Sequence, residues 1–182
     1  MITGQKVCLT TIEKSDLPQL LEWRNELRRY FRQYHEIATS EQENWYDKMV
    51  QDENTIMFAI RTRNDSWDVK SLGNLLGACG HTYIHWKNRS SELSGYIGKT
   101  YLAGDEAEEA MRLLVKYGFE ELGLHRQYAE VYEYNTQALD LYKKLGFQVE
   151  GTLREHVWRD GKRWNAIMVS KLASDNDNPA AS

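Results

Sequence analysis

Apolar and polar positions along the chain change period several times, and these changes divide it into strands and helices. Lys6 to Ile12 alternates as a half-buried strand does. From Asp16 the spacing becomes helical, through Leu17, Leu20, Leu21 and Trp23. Ser15 is placed to cap that helix, and Pro18 is tolerated in its first turn. Glu41 to Gln51 predicts a second helix with Trp45, Met49 and Tyr46 as its stripe. Thr39 with Gln42, or Ser40 with Glu43, offers a capping box. Three strand patterns follow, at Thr55–Thr62, Leu72–His85 and Glu92–Gly98. The second is punctuated by Gly73, Gly77 and Gly80, and turns are marked by Asn64, Asp65 and Ser66 and by Asn88 and Arg89. These runs read as an antiparallel meander.

The longest helical pattern runs from Gly104 to Leu122. Ala107, Ala110, Met111, Leu114, Gly118 and Leu122 share one face, and Gly123 is placed as its C-cap. Arg126 to Tyr134 is a further strand, and Thr136 to Leu145 a short helix ending at Gly146. Phe147–Trp158 and Arg163–Leu172 form a hairpin across Arg159, Asp160, Gly161 and Lys162, where Asp-Gly is a strong turn signal. The order β-α-α-β-β-β-α-β-α-β-β suits one mixed sheet flanked by helices. By periodicity alone the class is α/β or α+β.

Composition narrows this picture little. A chain of 182 residues suits one domain, here residues 1–173, and 174–182 read as a small, polar, disordered tail. Six Trp and eleven Tyr suit a core or an aromatic cleft. A net charge of −4 argues against non-specific nucleic-acid binding. Cys8 and Cys79 match neither a zinc spacing nor a disulfide framework, so no metal is expected. No signal core stands at the N-terminus and no apolar run approaches a membrane span, so a reduced, cytoplasmic protein is expected.

From Asn135 the chain reads N-T-Q-A-L-D-L-Y-K-K-L-G-F-Q-V-E-G-T-L-R-E. This stretch resembles the motif of the GNAT superfamily of N-acetyltransferases, in the branch that includes ribosomal-protein N-terminal acetyltransferases. Y-G-F-E-E-L-G-L-H-R from Tyr117 and S-E-L-S-G-Y-I-G from Ser91 are similar to the same branch, and W-R-N from Trp23 to its amino-sugar and polyamine relatives. The resemblance spans about residues 5–172. It implies the GNAT fold, a single mixed, mostly antiparallel sheet flanked by helices. It also implies transfer of an acetyl group from acetyl-CoA to a primary amine by direct attack.

The resemblance assigns roles residue by residue. Tyr142 is the general acid that protonates the departing coenzyme A sulfur; a phenol is protonated at neutral pH and able to do so. Asn135 caps its helix and contacts the pantetheine arm. Glu92 takes the amine's proton. Apart from the resemblance, His81 and His85 alternate on one strand, so both could face one side, and either imidazole could substitute. Backbone N–H groups of Tyr96, Ile97 and Gly98 polarise the thioester where the fourth strand splays from the fifth. The pyrophosphate loop falls on Leu102, Ala103, Gly104, Asp105, Glu106 and Ala107, at the N-terminus of the long helix. This loop departs from the family pattern Q/R-x-x-G-x-G/A. Leu102 replaces Gln or Arg, and Asp105 replaces the middle glycine. Asp105, Glu106, Glu108 and Glu109 favour a bare helix end but repel a phosphate unless they point outward. A catalytically weak or inactive GNAT-fold binding or regulatory protein is therefore the alternative.

For the acceptor, Trp23, Arg24, Asn25 and Arg28 are the leading candidates, beside Arg29, His35, Trp45, Trp158 and Trp164. Arg24, Arg28, Arg29 and Arg32 form a basic cluster with two readings: a solvated helix face, or an anion-binding set that suits a protein N-terminus or a nucleotide-linked amino sugar. A polyamine ranks behind these two, since it prefers acids. The expected assembly is a monomer or a homodimer.

Overall fold

A computed structural model describes residues 1–63, 73–98 and 102–176. Strands are β1 Ile2–Thr3, β2 Val7–Thr11, β3 Ile56–Thr62, β4 Leu75–His85, β5 Ser90–Ile97, β6 Arg126–Tyr132, β7 Gln148–Arg159 and β8 Lys162–Leu172. Helices are α1 Leu17–Glu26, α2 Thr39–Gln51, α3 Asp105–Glu120 and α4 Thr136–Lys144. The strands make one eight-stranded sheet in the order β1-β2-β3-β4-β5-β6-β8-β7. Every pairing is antiparallel except β5 with β6.

Alternation along the strands supplies a core on each face of this sheet. Ile60, Cys79, Leu93, Ala129 and Val131 pack beneath α3 and α4, against Ala110, Met111, Leu114 and Leu141. Their neighbours Ala59, Ala78 and Tyr96 point the other way, to Leu17 and Leu20 of α1 and Trp45 and Met49 of α2. Glu92 and Glu130 stand on the parity of Tyr96 and opposite that of Leu93, Ala129 and Val131, so they emerge on the α1–α2 side.

The ends of several elements differ from the sequence expectation for local reasons. Ser15 does not cap α1. A 3₁₀ turn, Lys14–Asp16, precedes the helix, and the Asp16 carboxylate accepts from Glu13 N at 2.9 Å while pairing with the buried Arg61 at 2.7 Å. Neither expected capping box forms at α2. Its N-cap is Ala38, and the Glu41 carboxylate reaches back to Ala38 N at 2.8 Å. The chain is committed early there because Asn25 grips both the N–H and the C=O of Ile37.

On α3 the expected face is buried from Ala107 to Gly118, but Leu124 rather than Leu122 completes the core. The hairpin turn is confirmed in detail: Asp160 and Gly161 both have positive φ, as a two-residue turn that matches strand twist requires. Beyond Leu172 a short 3₁₀ turn, Ala173–Asn176, occupies the start of the expected tail. The rest of that tail, the expected turn at Asn64, Asp65 and Ser66, and the start of a strand at Leu72 lie outside the described residues.

Candidate active site

The parallel pair β5–β6 is joined only at Ser90–Arg126, Ser91–Gln127 and Glu92–Tyr128. Beyond Glu92 the strands part. β5 continues along β4 as far as Ile97, and β6 runs along β8 as far as Tyr132. The gap leaves backbone groups of β5 facing a cleft instead of a neighbouring strand. A parallel pair can open this way because the two strands are fed by different elements and share no hairpin.

The cleft measures about 600 Å³ and extends from this splay under the α1–α2 connection. Tyr142 lines it from α4. The α4 helix is set by Asn135, whose side chain accepts from Ala138 N at 3.3 Å in the predicted N-cap role. Tyr142 is buried, with its ring edge-on to Phe147 at 5.1 Å between centroids. Glu92 and Glu130 line the same cleft, as do Asp52, Arg24 and Arg32.

The two glutamates carry the strongest electrostatic feature of the site. Their side chains are only 14% and 11% exposed, and Arg32 bridges them. Its Nη2 donates to Glu92 Oε1 at 2.8 Å and to Glu130 Oε2 at 3.0 Å, and its Nη1 to Glu92 Oε2 at 3.3 Å. Burial works against the guanidinium charge, but Glu92 and Glu130 outweigh it and hold Arg32 above its ordinary pKa. His156 stands 3.7 Å from Glu130 on the far side. Asp52 accepts from Thr55 Oγ1 and Asn54 N, and these bonds hold its carboxyl below the usual range.

The remaining expected acceptor residues separate. Arg24 alone of Trp23, Arg24, Asn25 and Arg28 reaches the cleft. Its guanidinium lies 4.8 Å from the Phe31 ring centre, and its buried Nε has no hydrogen-bond partner among the described residues. Trp23 packs in the core below Gly98. Asn25 accepts from Gln33 Nε2 and holds Ile37, so it shapes the α1–α2 connection. Arg28 pairs with Glu36 at 3.2 Å and Arg29 with Asp160 at 3.1 Å on the rim. The basic cluster is thus dispersed into local pairs.

The two histidines considered as bases do not enter the cleft. His81 is fully buried under α3, on the opposite face from Glu92. Its Nδ1 lies 2.8 Å from Ser91 Oγ and its Nε2 3.2 Å from Leu114 O. Burial pushes its pKa down to about 4, although the Leu114 carbonyl opposes the shift. The carbonyl requires an N–H at Nε2, which leaves Nδ1 to accept from Ser91. Tyr83, with φ +50, bulges β4 and breaks the alternation that would align His85 with His81. His85 is exposed and accepts from Asn88 N in the following turn.

Three of the four acids at the start of α3 are engaged by partners, while Glu106 Oε2 lies 3.5 Å from the position a Cβ would take at Gly104. Glu109 turns to the β1–β2 connection and accepts from the N–H groups of Gln5, Lys6 and Val7, at 2.6, 2.7 and 3.0 Å. Burial raises its pKa, but those three bonds win and hold it below the usual carboxylate range. Asp105 pairs with Lys6, and Glu108 with Arg112 at 2.6 Å and Lys144 at 3.9 Å. Gly104, at φ +92, makes the entry to the helix, a conformation that favours glycine. Leu102 is in the core and Ala107 is buried on the helix face. Tyr96 donates its hydroxyl to Leu20 O at 3.3 Å, which fixes the end of β5 that carries Ile97 and Gly98.

Sequence reasoning missed Glu130, the bridge through Arg32, and the three backbone bonds of Glu109. Glu130 had a signal: it alternates with Ala129 and Val131 in β6. Its meeting with Glu92 depends on the parallel pairing, which no local pattern encodes. Among the described residues no His, Cys, Asp and Glu cluster could hold a metal ion, and no helix is long and apolar enough to cross a membrane.

Comparison with known proteins places this geometry. Residues 6–148 match the family model described as acetyltransferase (GNAT) domain. The chain is 32% identical over 124 residues to the uncharacterized N-acetyltransferase p20 of Bacillus licheniformis, covering 68% of this chain and 70% of that protein. It is 28% identical over 172 residues to the spermidine N(1)-acetyltransferase of Escherichia coli, covering 93% and 87%. The crystal structure of spermidine N-acetyltransferase from Vibrio cholerae in complex with CoA and spermine superposes with a TM-score of 0.84 at 24% identity, covering 95% of this chain and 99% of that one. The fold is thus shared with a spermidine N-acetyltransferase. This chain belongs to the GNAT family and is an acetyl-CoA-dependent N-acetyltransferase.

Proposed function

We propose that the chain acetylates a primary amine of a small cationic acceptor of the polyamine class. One observation carries this reading: two nearly buried carboxylates, Glu92 and Glu130, face the cleft that Tyr142 lines. A pair of carboxylates with so little solvent attracts ammonium strongly. The likeness to spermidine N(1)-acetyltransferase supports it. The arginines that favoured an anionic acceptor are engaged elsewhere at Arg28 and Arg29.

Acetyl-CoA supplies the acetyl thioester. The residues present fit it: the first-turn N–H groups of α3 are free of intrahelical partners by helix geometry, and Asp105, Glu108 and Glu109 are drawn aside by Lys6, Arg112 and the β1–β2 backbone. The chain at Leu102–Ala107 would hold the pyrophosphate, and Asn135 the arm. Backbone N–H groups at Tyr96–Gly98 would polarise the thioester carbonyl. Glu92 accepts a proton from the acceptor ammonium, whose nitrogen then attacks the carbonyl carbon. As the C–S bond breaks, Tyr142 gives its hydroxyl proton to the sulfur, and the second proton lost by the attacking nitrogen as the amide forms restores the phenol.

A second reading has its own observation. Arg24 lines the cleft and keeps a buried Nε without a hydrogen-bond partner among the described residues, and a peptide N-terminus would bring a carbonyl beside its amine to that arginine. Steady-state acetylation of spermidine, of a short peptide with a free N-terminus and of a nucleotide-linked amino sugar, each with acetyl-CoA, decides between them. Efficient turnover of spermidine is expected. Turnover of the peptide alone would overturn the polyamine assignment in favour of the second reading.

A further inference from the structure

The Arg32 guanidinium sits where an ammonium group is expected. It is itself a cation, and it lies between the two least exposed carboxylates of the cleft. Two facts make it a replaceable occupant instead of a fixed strut. First, its side chain is 52% exposed while those of its partners are 14% and 11% exposed, so the carboxylates belong to the sheet and the guanidinium arrives from outside. Second, the backbone on either side of it is clamped independently of the glutamates. Arg159 donates to Phe31 O at 2.9 Å and also to Gln33 O. Tyr134 donates its hydroxyl to Arg29 O, and Asn25 holds Gln33 and Ile37. Release of the Arg32 side chain therefore frees the seat without unfolding the connection that carries it. Its pivot stays fixed, and the arm can turn into solvent.

We propose that Arg32 is a specificity-determining internal cation, which occupies the Glu92–Glu130 seat in the empty enzyme and exchanges with the acceptor's ammonium group. The inference rests on the reading of this cleft as the amine site. The consequence is selective. With Arg32 seated, the group of three carries one net negative charge; with Arg32 displaced, it offers two. An acceptor must supply enough cationic interaction to replace a guanidinium that makes three hydrogen bonds. A single weakly held amine does so poorly, and a polyamine does so well. The apparent affinity is lowered by the fraction of molecules in which Arg32 holds the seat.

The test compares wild type with Arg32→Met and Arg32→Lys. Spermidine binding is measured by calorimetry without coenzyme, and KM and kcat are measured with acetyl-CoA. Removal of the competitor is expected to tighten spermidine binding about tenfold, which corresponds to about 1.4 kcal/mol. KM should fall in step and kcat should change little. Millimolar methylguanidinium should weaken spermidine binding again in Arg32→Met. Arg32→Lys keeps a cation but lacks the planar fork and holds the seat less firmly, so an intermediate affinity is expected, and it reads the same quantity should the Met variant fail to fold. Unchanged or weaker spermidine binding in these variants would overturn the proposal. Tighter binding with no turnover of spermidine by any variant would leave the seat intact and sink the acceptor assignment instead. Normal turnover with no gain in affinity would do the reverse.

Discussion

His81 provides a stability measurement that also tests where the chemistry of this site lies. The imidazole is fully buried between β4 and α3 and is held neutral, with its pKa lowered from 6.5 to about 4 mainly by burial. In the unfolded chain it titrates near 6.5. A folded pKa below the unfolded one means that the unfolded state binds the proton more readily. The contribution to stability is therefore complete above about pH 6.5 and is lost as the pH falls toward 4. A shift of this size amounts to about 3 kcal/mol at about 1.4 kcal/mol per pH unit. Urea denaturation of wild type at a series of pH values between 7 and 4 measures the total loss, to which other carboxylates contribute. The same series on His81→Gln removes only the histidine's share. The variant should be less stable at pH 7, because its Ser91 and Leu114 contacts are altered, but its stability should fall by about 3 kcal/mol less across the range. Equal pH slopes for the two proteins would refute the assignment of a neutral, structural histidine. So would an acid limb in the rate profile of wild type that disappears in the variant while the fold is retained.

Three further substitutions probe the frame around the site. Gly118→Ala places a Cβ 2.6 Å from both His81 Cε1 and Gln127 Nε2, so the gain in helix propensity is outweighed and thermal melts should show a net loss of about 1 kcal/mol or more. Arg61→Met leaves the Asp16 carboxylate buried without its cation, and should cost about 3–5 kcal/mol in denaturant titrations; a loss well below this range would mean that Asp16 is relieved by water. Glu109→Ala removes the acceptor of three backbone N–H groups. At this partly exposed site it should cost about 2–3 kcal/mol at pH 7. Because the Glu109 pKa is lowered on folding, that contribution is present above about pH 4.5 and fades below it, so wild type and variant should converge in acid.

The elements of this fold were largely legible because each has a local cause. The Asn135 cap, the Asp160–Gly161 turn and the α3 stripe are set by residues a few positions apart, and each appears where the sequence indicated. The caps of α1 and α2 were misread because tertiary partners override local capping. Arg61 draws on Asp16, and Asn25 fixes Ile37 next to the α2 N-terminus. Asp105 and Glu109 looked hostile to a phosphate because their partners are remote. Lys6 and the N–H groups of Gln5 to Val7 lie about a hundred positions away in the chain, and only folding brings them to Glu109 and Asp105. The acceptor half was least legible for the same reason. A basic run in the sequence became a set of dispersed ion pairs, and a pair of glutamates from two strands became the charged centre of the cleft.

The central claim is that Tyr142, at the mouth of the splay, gives the proton that lets the sulfur leave. Tyr142→Phe removes that proton and keeps the ring against Phe147. With saturating acetyl-CoA and amine, release of coenzyme A thiol should slow about 100-fold or more, while coenzyme A binding measured by calorimetry stays close to that of wild type. Unchanged turnover, or a loss of binding that accounts for the whole loss of rate, would contradict the account.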